Sequence, residues 1–494
     1  MNGYVIGIDI GTGSTKAVAV DALGTILFST AVTYPAFQPQ EGYHEQAPEL
    51  IWQAFIKCIQ RTIRQAKEQP KGISLSSAMH SVIPVDAAGS PLMNMITWAD
   101  NRSDAIATRI KNSGIGEMLY EQTGTPIHAM APLSKIVWLK EHDPALFQRT
   151  HKFISIKEYI WYKLFGVYEI DYSLASATGL FDINQCNWNA NSLDLCAISS
   201  EKLSTPVPST YTRDSTTASP ELHTILNQPV PIFIGSSDGC MANLGSFATE
   251  PGIAALTIGT SSAIRITNAQ PTFNFAAMTF NYILDETTFI SGGPSNNGGA
   301  VLKWYAESFL QQKLTTSDDY EVMLQELDHS QAGSEGLRFL PYVLGERAPI
   351  WNSDACGVFF GIKNMHIRKH FTRAVIEGIC FALYSIATSM EDSGLTISRI
   401  HVSGGFVHSK TWLQMLADIF NKEVYLIHQE DASALGAAYL GLKMLGMVDN
   451  YAELKPATST SFLPREEDHQ AYQTAFVQFR RLYHLLQEEM KQTS

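Results

Sequence analysis

Residues Val5-Ile6-Gly7-Ile8-Asp9-Ile10-Gly11-Thr12-Gly13-Ser14-Thr15-Lys16 run on into Ala17-Val18-Ala19-Val20-Asp21. An apolar run ends in an acid, turns on glycine and hydroxyl residues, and returns as a second apolar run, which is the pattern of a hairpin between two buried strands. The turn is the chemically active part. Gly11 and Gly13 are expected to take positive φ and to bring successive N–H groups, with the Thr12, Ser14 and Thr15 hydroxyls, up to phosphate oxygens. Asp9, at the strand end beside them, is placed to hold a magnesium ion that bridges phosphates, and Lys16 adds a positive charge. An ordinary tight hairpin would satisfy the same spacing. A second copy shifts the balance: Ala254-Ala255-Leu256-Thr257-Ile258-Gly259-Thr260-Ser261-Ser262-Ala263-Ile264-Arg265-Ile266 repeats strand, Ile-Gly-Thr turn and strand about half the chain later. Two like hairpins opening two halves of similar length predict a duplicated α/β domain, residues 1–247 and 248–494, with the turns facing each other across a cleft.

The 494 residues are 45% hydrophobic and 17% charged, with a mean hydropathy of −0.04. That is globular composition, and the length favours at least two domains with a core each. Net charge is −13 and the pI is near 5.5. With no lysine/arginine block, nucleic acid and anionic membrane surfaces are excluded as general partners, so an anionic ligand has to be met by local groups. The cysteines at 58, 186, 196, 240, 356 and 380 lack Cys-x-x-Cys or zinc-type spacing and read as reduced, mostly buried thiols. The N-terminus enters a strand without a basic leader, and no apolar run reaches membrane-spanning length, so a cytoplasmic location is expected.

Residues 46–67 read as an amphipathic helix through Leu50, Ile51, Ala54, Phe55, Cys58, Ile59 and Ile63. A strand at 72–77 leads to Met79-His80, and Met95 to Trp98 leads to Asp100 and Arg102. Ser155-x-x-Glu158 opens a helix with a capping box, and the Thr-, Ser- and Pro-rich stretch from 204 to 231 reads as a surface connection. The strand from Val230 delivers Ser236-Ser237-Asp238-Gly239 to its carboxyl end, and the strand at 400–403 delivers Gly404-Gly405. In α/β sheets ligands collect outside the carboxyl ends of strands, so these loops can share one crevice. Their chemistry fits phosphoryl transfer, which needs donors and a metal around a triphosphate and a carboxylate to orient the accepting hydroxyl; Asp238 is the candidate base.

Two longer stretches carry a resemblance. Met130-Ala131-Pro132-Leu133-Ser134-Lys135-Ile136-Val137-Trp138-Leu139-Lys140-Glu141-His142, and Gly357-Val358-Phe359-Phe360-Gly361-Ile362 through His370-Phe371-Thr372-Arg373-Ala374-Val375-Ile376-Glu377, are similar to the two signature patterns of the FGGY carbohydrate kinases. That family lies in the sugar-kinase, Hsp70 and actin superfamily, and the resemblance covers nearly the whole chain. It implies two ribonuclease H-like domains of the actin/hexokinase/Hsp70 type around a cleft. Within the family the likeness is to the gluconate kinases, through Ser76 to Ile83, Ile96 to Ser103, Thr123 to His128 and Gly345-Glu346-Arg347-Ala348-Pro349-Ile350-Trp351-Asn352.

The resemblance implies ATP and Mg²⁺ as cofactors and a sugar acid, D-gluconate, as substrate, with a homodimer compatible with the sequence. Carried over by position, it puts Asp9 at the metal and phosphates, and Thr12, Gly13, Ser14 and Lys16 at the nucleotide phosphates. It puts Gly259, Thr260, Gly299, Lys303, Gly404 and Gly405 at the nucleotide from the second half. Asp238 falls on the catalytic base, and Met79, His80, Trp98, Asp100 and Arg102 on the sugar side, with His80, His128 and Arg102 as candidates to meet a carboxylate. Plain structural roles compete with these. Asp238 suits a helix N-cap, His80 a core position, Trp98 packing, Asp100 with Arg102 a loop-closing ion pair, and Arg347 a local brace for Glu346. The alternative activities are a pentulose kinase such as xylulokinase and an actin- or Hsp70-like ATPase switch.

Overall fold

The computed structural model describes residues 3–285, 287–314, 317–427, 431–454 and 459–491. The opening hairpin is formed by β1 (Tyr4–Ile10) and β2 (Ser14–Asp21), and β3 (Ile26–Thr33) continues the antiparallel meander. Because β1 is buried on both faces, its side chains divide by parity. Tyr4, Ile6, Ile8 and Ile10 join a core with Ile51, Phe55 and Ile59 of α1 (Pro48–Ala66), whereas Val5 joins one on the opposite face. Asp9 shares the parity of Val5 and so belongs to that second face. Helix α1 follows the expected bounds, but Leu50 points outward at 38% exposure.

Strand β4 (Gly72–Ser77) runs parallel to β1, and β5 (Pro231–Ser237) runs parallel to β4. Thr212–Asp214 adds an antiparallel edge strand beyond β5. The segment from 204 to 231 is therefore more than a surface connection: Thr205–Val207 also pairs with Glu169–Asp171. Its high polarity hides the strands because edge pairing needs backbone groups rather than an apolar side-chain pattern. The expected capping box is formed, Ser155 N–H donating to Glu158 Oε2 at 2.6 Å, and the helix it opens ends on left-handed Gly166.

After β5 comes α2 (Asp238–Gly245), and the second half then repeats the plan. Strands β6 (Ile253–Ile258) and β7 (Ser262–Asn268) form the second hairpin; β8 (Phe280–Asp285) and β9 (Thr288–Ser295) extend it antiparallel. Helix α3 (Gly299–Trp304) starts beside the hairpin turn, and α4 (Arg368–Asp392) fills the core of this half. By length and composition α4 would pass as a membrane span, yet it is mostly buried inside the protein, as a core helix. Strand β10 (Arg399–Gly404) lies parallel to β6, and after α5 (Lys410–Phe420), β11 (Glu423–Ile427) lies parallel to β10. The chain closes with α6 (Ala432–Met444), an edge strand at Ser459–Phe462, and α7 (Glu466–Met490).

Spatial orders β3-β2-β1-β4-β5 and β9-β7-β6-β10-β11 are the same five-strand arrangement written twice. The two repeats are interlocked. Helix α6, from the second half, covers the first sheet, where Ala434, Leu435 and Ala438 share a core with Val5, Val18 and Val20 and with Met241 and Leu244 of α2. Helices α2 and α6 thus cross between the two sheets. Gly7 leaves room for them, since a Cβ there would stand 1.9 Å from the Ala434 carbonyl oxygen.

Candidate active site

The strand ends converge as parallel pairing requires. Asp9 is opposite Ser76 in register, Ser237 is opposite Ser77, and Asp238 is the next residue of the chain. Ser76 Oγ donates to Asp9 Oδ1 at 2.9 Å. Burial, reinforced by the neighbouring Asp238 carboxylate, pushes the Asp9 acid up to about 7. In the first turn neither Gly11 nor Gly13 has positive φ, which corrects the expectation. The turn is closed by Gly11 N–H to the Ser14 carbonyl at 3.0 Å, which ordinary backbone angles allow. Glycine at 13 has a different use: a Cβ there would meet nothing within 4 Å, so the turn surface is bare backbone open to a ligand. Gln46 Nε2 pins the turn by donating to the Thr12 carbonyl at 2.6 Å, and Trp98 Nε1 donates to Thr12 Oγ1 at 2.8 Å. Lys16 forms an ion pair with Asp431, just ahead of α6, so it also ties the first hairpin to the second half.

Asp238 is not the cap of its helix. Ser237 takes that role, its Oγ accepting from Cys240 N–H, while Asp238 is the first helical residue and accepts its neighbour Gly239 N–H at 2.7 Å. Burial raises the Asp238 acid, opposed first by the Arg265 guanidinium, then by the Gly239 N–H and Lys157. Lys157, fully buried, bonds Asp171 Oδ2 at 2.7 Å and the carbonyls of Ile234 and Ser236, so it fixes the strand that presents Asp238.

His80 has φ of 67°, a left-handed conformation that a non-glycine residue takes at a local cost. Its carbonyl accepts Lys135 Nζ at 2.6 Å, which also serves the Thr97 and Met130 carbonyls. The His80 Nδ1 lies 2.8 Å from the Ala177 carbonyl and must donate to it, so Nε2, 3.3 Å from Tyr282 Oη, is left as an acceptor. Burial and the nearby Lys135 lower its pKa to about 3, and burial with Arg347 does the same for His128, so both imidazoles are neutral. Met79 lies near Asp238: a Cβ on Gly239 would be 3.1 Å from the Met79 methyl and 3.4 Å from Arg265 Nε.

Asp100 and Arg102 adopt the loop-closing arrangement. Asp100 is fully buried and accepts Arg102 Nε at 2.8 Å, Arg102 Nη2 at 2.7 Å and the His44 N–H at 2.6 Å. Arg102, its side chain 3% exposed, also bonds Glu45 and stacks 3.8 Å over the Tyr43 ring. Besides Lys135 and Lys157, which are bonded to carbonyls, the cations near Asp238 and His80 are Arg265 and Arg347, neither of which the sequence assigns to the site. Arg265 had a legible signal, a charge inside the apolar return strand of the second hairpin. Arg347 feels the Glu346 charge without a side-chain hydrogen bond to it, and its guanidinium carbon lies 5.1 Å from the Trp98 ring centre.

In the second half Gly259, Thr260, Gly299, Lys303 and Gly405 line one cavity of about 1130 Å³. The second turn grips α3 directly: Gly299 N–H donates to the Gly259 carbonyl at 2.7 Å and Ala300 N–H to the Thr260 carbonyl at 3.1 Å. A Cβ on Gly299 would sit 2.8 Å from that Gly259 oxygen. Gly404 supports the cavity from beneath, since its φ of 116° and a Cβ position 2.4 Å from the Ile258 carbonyl both demand glycine. Lys303 reaches Glu307 at 3.8 Å while remaining more than half exposed. The arrangement offers backbone donors beside a large cavity of mixed polar and apolar lining in the second half, and the carboxylates of Asp9 and Asp238 in the first, with buried imidazole and guanidinium groups nearby.

Comparison with known proteins agrees with this layout. The model of the N-terminal domain of the FGGY family of carbohydrate kinases matches residues 4–245, and that of the C-terminal domain matches 254–445. A gluconokinase of Bacillus subtilis (strain 168) is 39% identical, with 100% of this chain and 98% of the relative covered. A xylulose kinase of the same organism is 30% identical, with 97% and 96% covered. Among solved structures, a ligand-bound xylulose kinase from Lactobacillus acidophilus superposes with a TM-score of 0.94 at 33% identity, covering 99% of this chain and 100% of that one. A gluconate kinase from Lactobacillus acidophilus gives 0.93 at 33%, covering 99% of each.

Proposed function

From the premise that the chain belongs to the FGGY family of carbohydrate kinases, we propose that it transfers the γ-phosphoryl group of ATP to the terminal hydroxyl of D-gluconate, giving 6-phospho-D-gluconate and ADP. The observation that carries the substrate is the full-length 39% identity to a gluconokinase, against 30% to a xylulose kinase. A pentulose substrate is the second reading, favoured by the xylulose kinase structure with a TM-score of 0.94. Coupled turnover on gluconate, xylulose, ribulose and glycerol separates them, and a strong preference for a neutral ketose rejects the acid assignment.

In this reading the nucleotide lies along the cavity at Gly259, Thr260 and Gly299, with its phosphates toward the bare turn at Thr12 to Ser14. Gluconate lies beside Met79, His80 and Trp98. Asp238 accepts the proton of the attacking hydroxyl and holds its oxygen in line. His80 Nε2, the acceptor in the tautomer that Ala177 fixes, takes a sugar hydroxyl in exchange for its bond from Tyr282 Oη. Approach of the two sheets about the α2–α6 crossing excludes water, which protects ATP from hydrolysis.

Asp9, with Ser76 behind it and Asp238 across, would hold Mg²⁺, a hard cation suited to carboxylate and phosphate oxygens. Among the described residues no group of three or more His, Cys, Asp or Glu side chains could cage a metal, which suits an ion held mainly by substrate phosphates. When bound, it neutralises phosphate charge. Since Asp9 is raised to about 7, its proton competes with the cation below that pH. The Mg²⁺ concentration giving half-maximal rate is expected to rise by up to about tenfold per pH unit below 7. Asp9→Asn should bind Mg²⁺ more weakly and lose that pH dependence; an unchanged dependence counts against the assignment.

Arg265 supplies a second pH test. Its guanidinium opposes the rise of the Asp238 acid, so Arg265→Met should raise the pKa of Asp238 further. A base works ionised, so the acid limb of the kcat/KM profile should move to higher pH; a limb that stays put removes the coupling.

A further inference from the structure

Two guanidinium groups stand near Asp238 and His80 with donors that no described residue accepts: Arg265 Nη1 and Arg347 Nε are both buried and unpartnered. Arg347 is 8% exposed. Its Nη2 donates to the Ser295 carbonyl at 3.2 Å, and its guanidinium carbon lies over the ring of Trp98, which is itself tied to Thr12. Glu346 favours the Arg347 charge through space but makes no hydrogen bond to the guanidinium. The Glu346 oxygens accept Ser295 Oγ at 2.6 Å, the Asn296 N–H at 2.8 Å, Asn297 Nδ2 at 3.2 Å and the backbone N–H of Arg347 at 2.8 Å.

The other groups facing Arg347 offer no anion. Tyr282 is held protonated by burial, and His80 and His128 are neutral. The remaining buried cation nearby, Lys135, is spent on three carbonyls. A buried guanidinium with unused donors is costly until an acceptor arrives, and a carboxylate matches both its charge and its planar fork where a neutral hydroxyl matches neither. We propose that Arg347 is the receptor for the carboxylate of a sugar-acid substrate and sets the preference of this site for acids over neutral polyols and ketoses. The proposal rests on the gluconate reading above. Arg265 belongs to the other end of the substrate, beside Asp238 and Gly239.

The test is kcat/KM on gluconate, on D-glucitol, which replaces the carboxylate by a hydroxymethyl group, and on xylulose, for wild type, Arg347→Gln and Arg347→Lys. Thermal shift with ATP is measured alongside to show that each variant is folded and binds nucleotide. In Arg347→Gln the gluconate-to-glucitol ratio is expected to fall about 100-fold, mainly through KM for the acid, with Arg347→Lys keeping part of it. A wild type that prefers gluconate, with an Arg347→Gln variant whose ratio is unchanged, overturns the inference and leaves the gluconate reading standing. A wild type that prefers xylulose overturns both.

Discussion

An Asp238→Asn protein is expected to fold, to bind ATP as the wild type does, and to lose about three orders of magnitude in kcat, within the range that a positioned general base supplies. Folding survives because the helix start does not depend on this side chain: Ser237 caps α2, and an asparagine carbonyl can still accept the Gly239 N–H now bonded at 2.7 Å. Nucleotide binding should survive because the cavity proposed for it, at Gly259, Thr260 and Gly299, is lined entirely by residues of the second half. What goes is the capacity to take a proton. Near-normal turnover would move the base to another residue, and Asp9 is the neighbouring carboxylate to examine. A loss of ATP-dependent stabilisation would instead mean that Asp238 works mainly through the metal and phosphates.

The two hairpins were readable because each is a short-range pattern: apolar strand, glycine turn, apolar strand. Their repetition also disclosed the doubled architecture, since like sequences build like units. The strand ends carrying Asp9, Asp238 and Gly404 followed from the rule that parallel strands deliver their loops to one edge. Side chains contributed across the cleft were harder to assign. Arg347 lies in a loop 249 residues after Trp98, and nothing within the loop distinguishes a guanidinium aimed at an indole from one aimed at the adjacent Glu346. Arg102 shows the converse. Its place between Trp98 and a helix suited substrate contact, whereas Glu45 and Tyr43, more than fifty residues earlier, absorb it into a closed network. The conformation of the first turn was misjudged for a local reason. Glycine permits positive φ without requiring it, and here it provides an uncovered backbone.

The interlocking of the halves leads to the second large effect. Where α2 and α6 cross, the backbones touch: a Cβ on Gly436 would lie 1.9 Å from the Met241 carbonyl oxygen, and one on Gly245 would lie 2.0 Å from the Ala432 carbonyl oxygen. Each helix therefore presents glycine to the other's backbone, and neither contact can be relieved by turning a side chain. Gly436→Ala has to push the helices apart, with α6 also anchored to β1 over Gly7. We expect a cost at or above about 3 kcal/mol, the upper part of the range for overpacking, seen as a fall of about 3 °C or more in Tm for a chain of this size. Gly114→Ala is the control, because a Cβ there meets nothing within 4 Å, and its Tm should match the wild type. The displacement should also reach catalysis. Ser433 Oγ, on the first turn of α6, donates to the Asp238 carbonyl at 3.1 Å, and Asp431 just before it holds Lys16, so a shift of α6 moves the proposed base and the proposed phosphate turn together. The expected Gly436→Ala enzyme is thus both less stable and slower at saturating substrate. A variant as stable as wild type would show that the crossing has slack and that these close approaches are not what fixes the two helices.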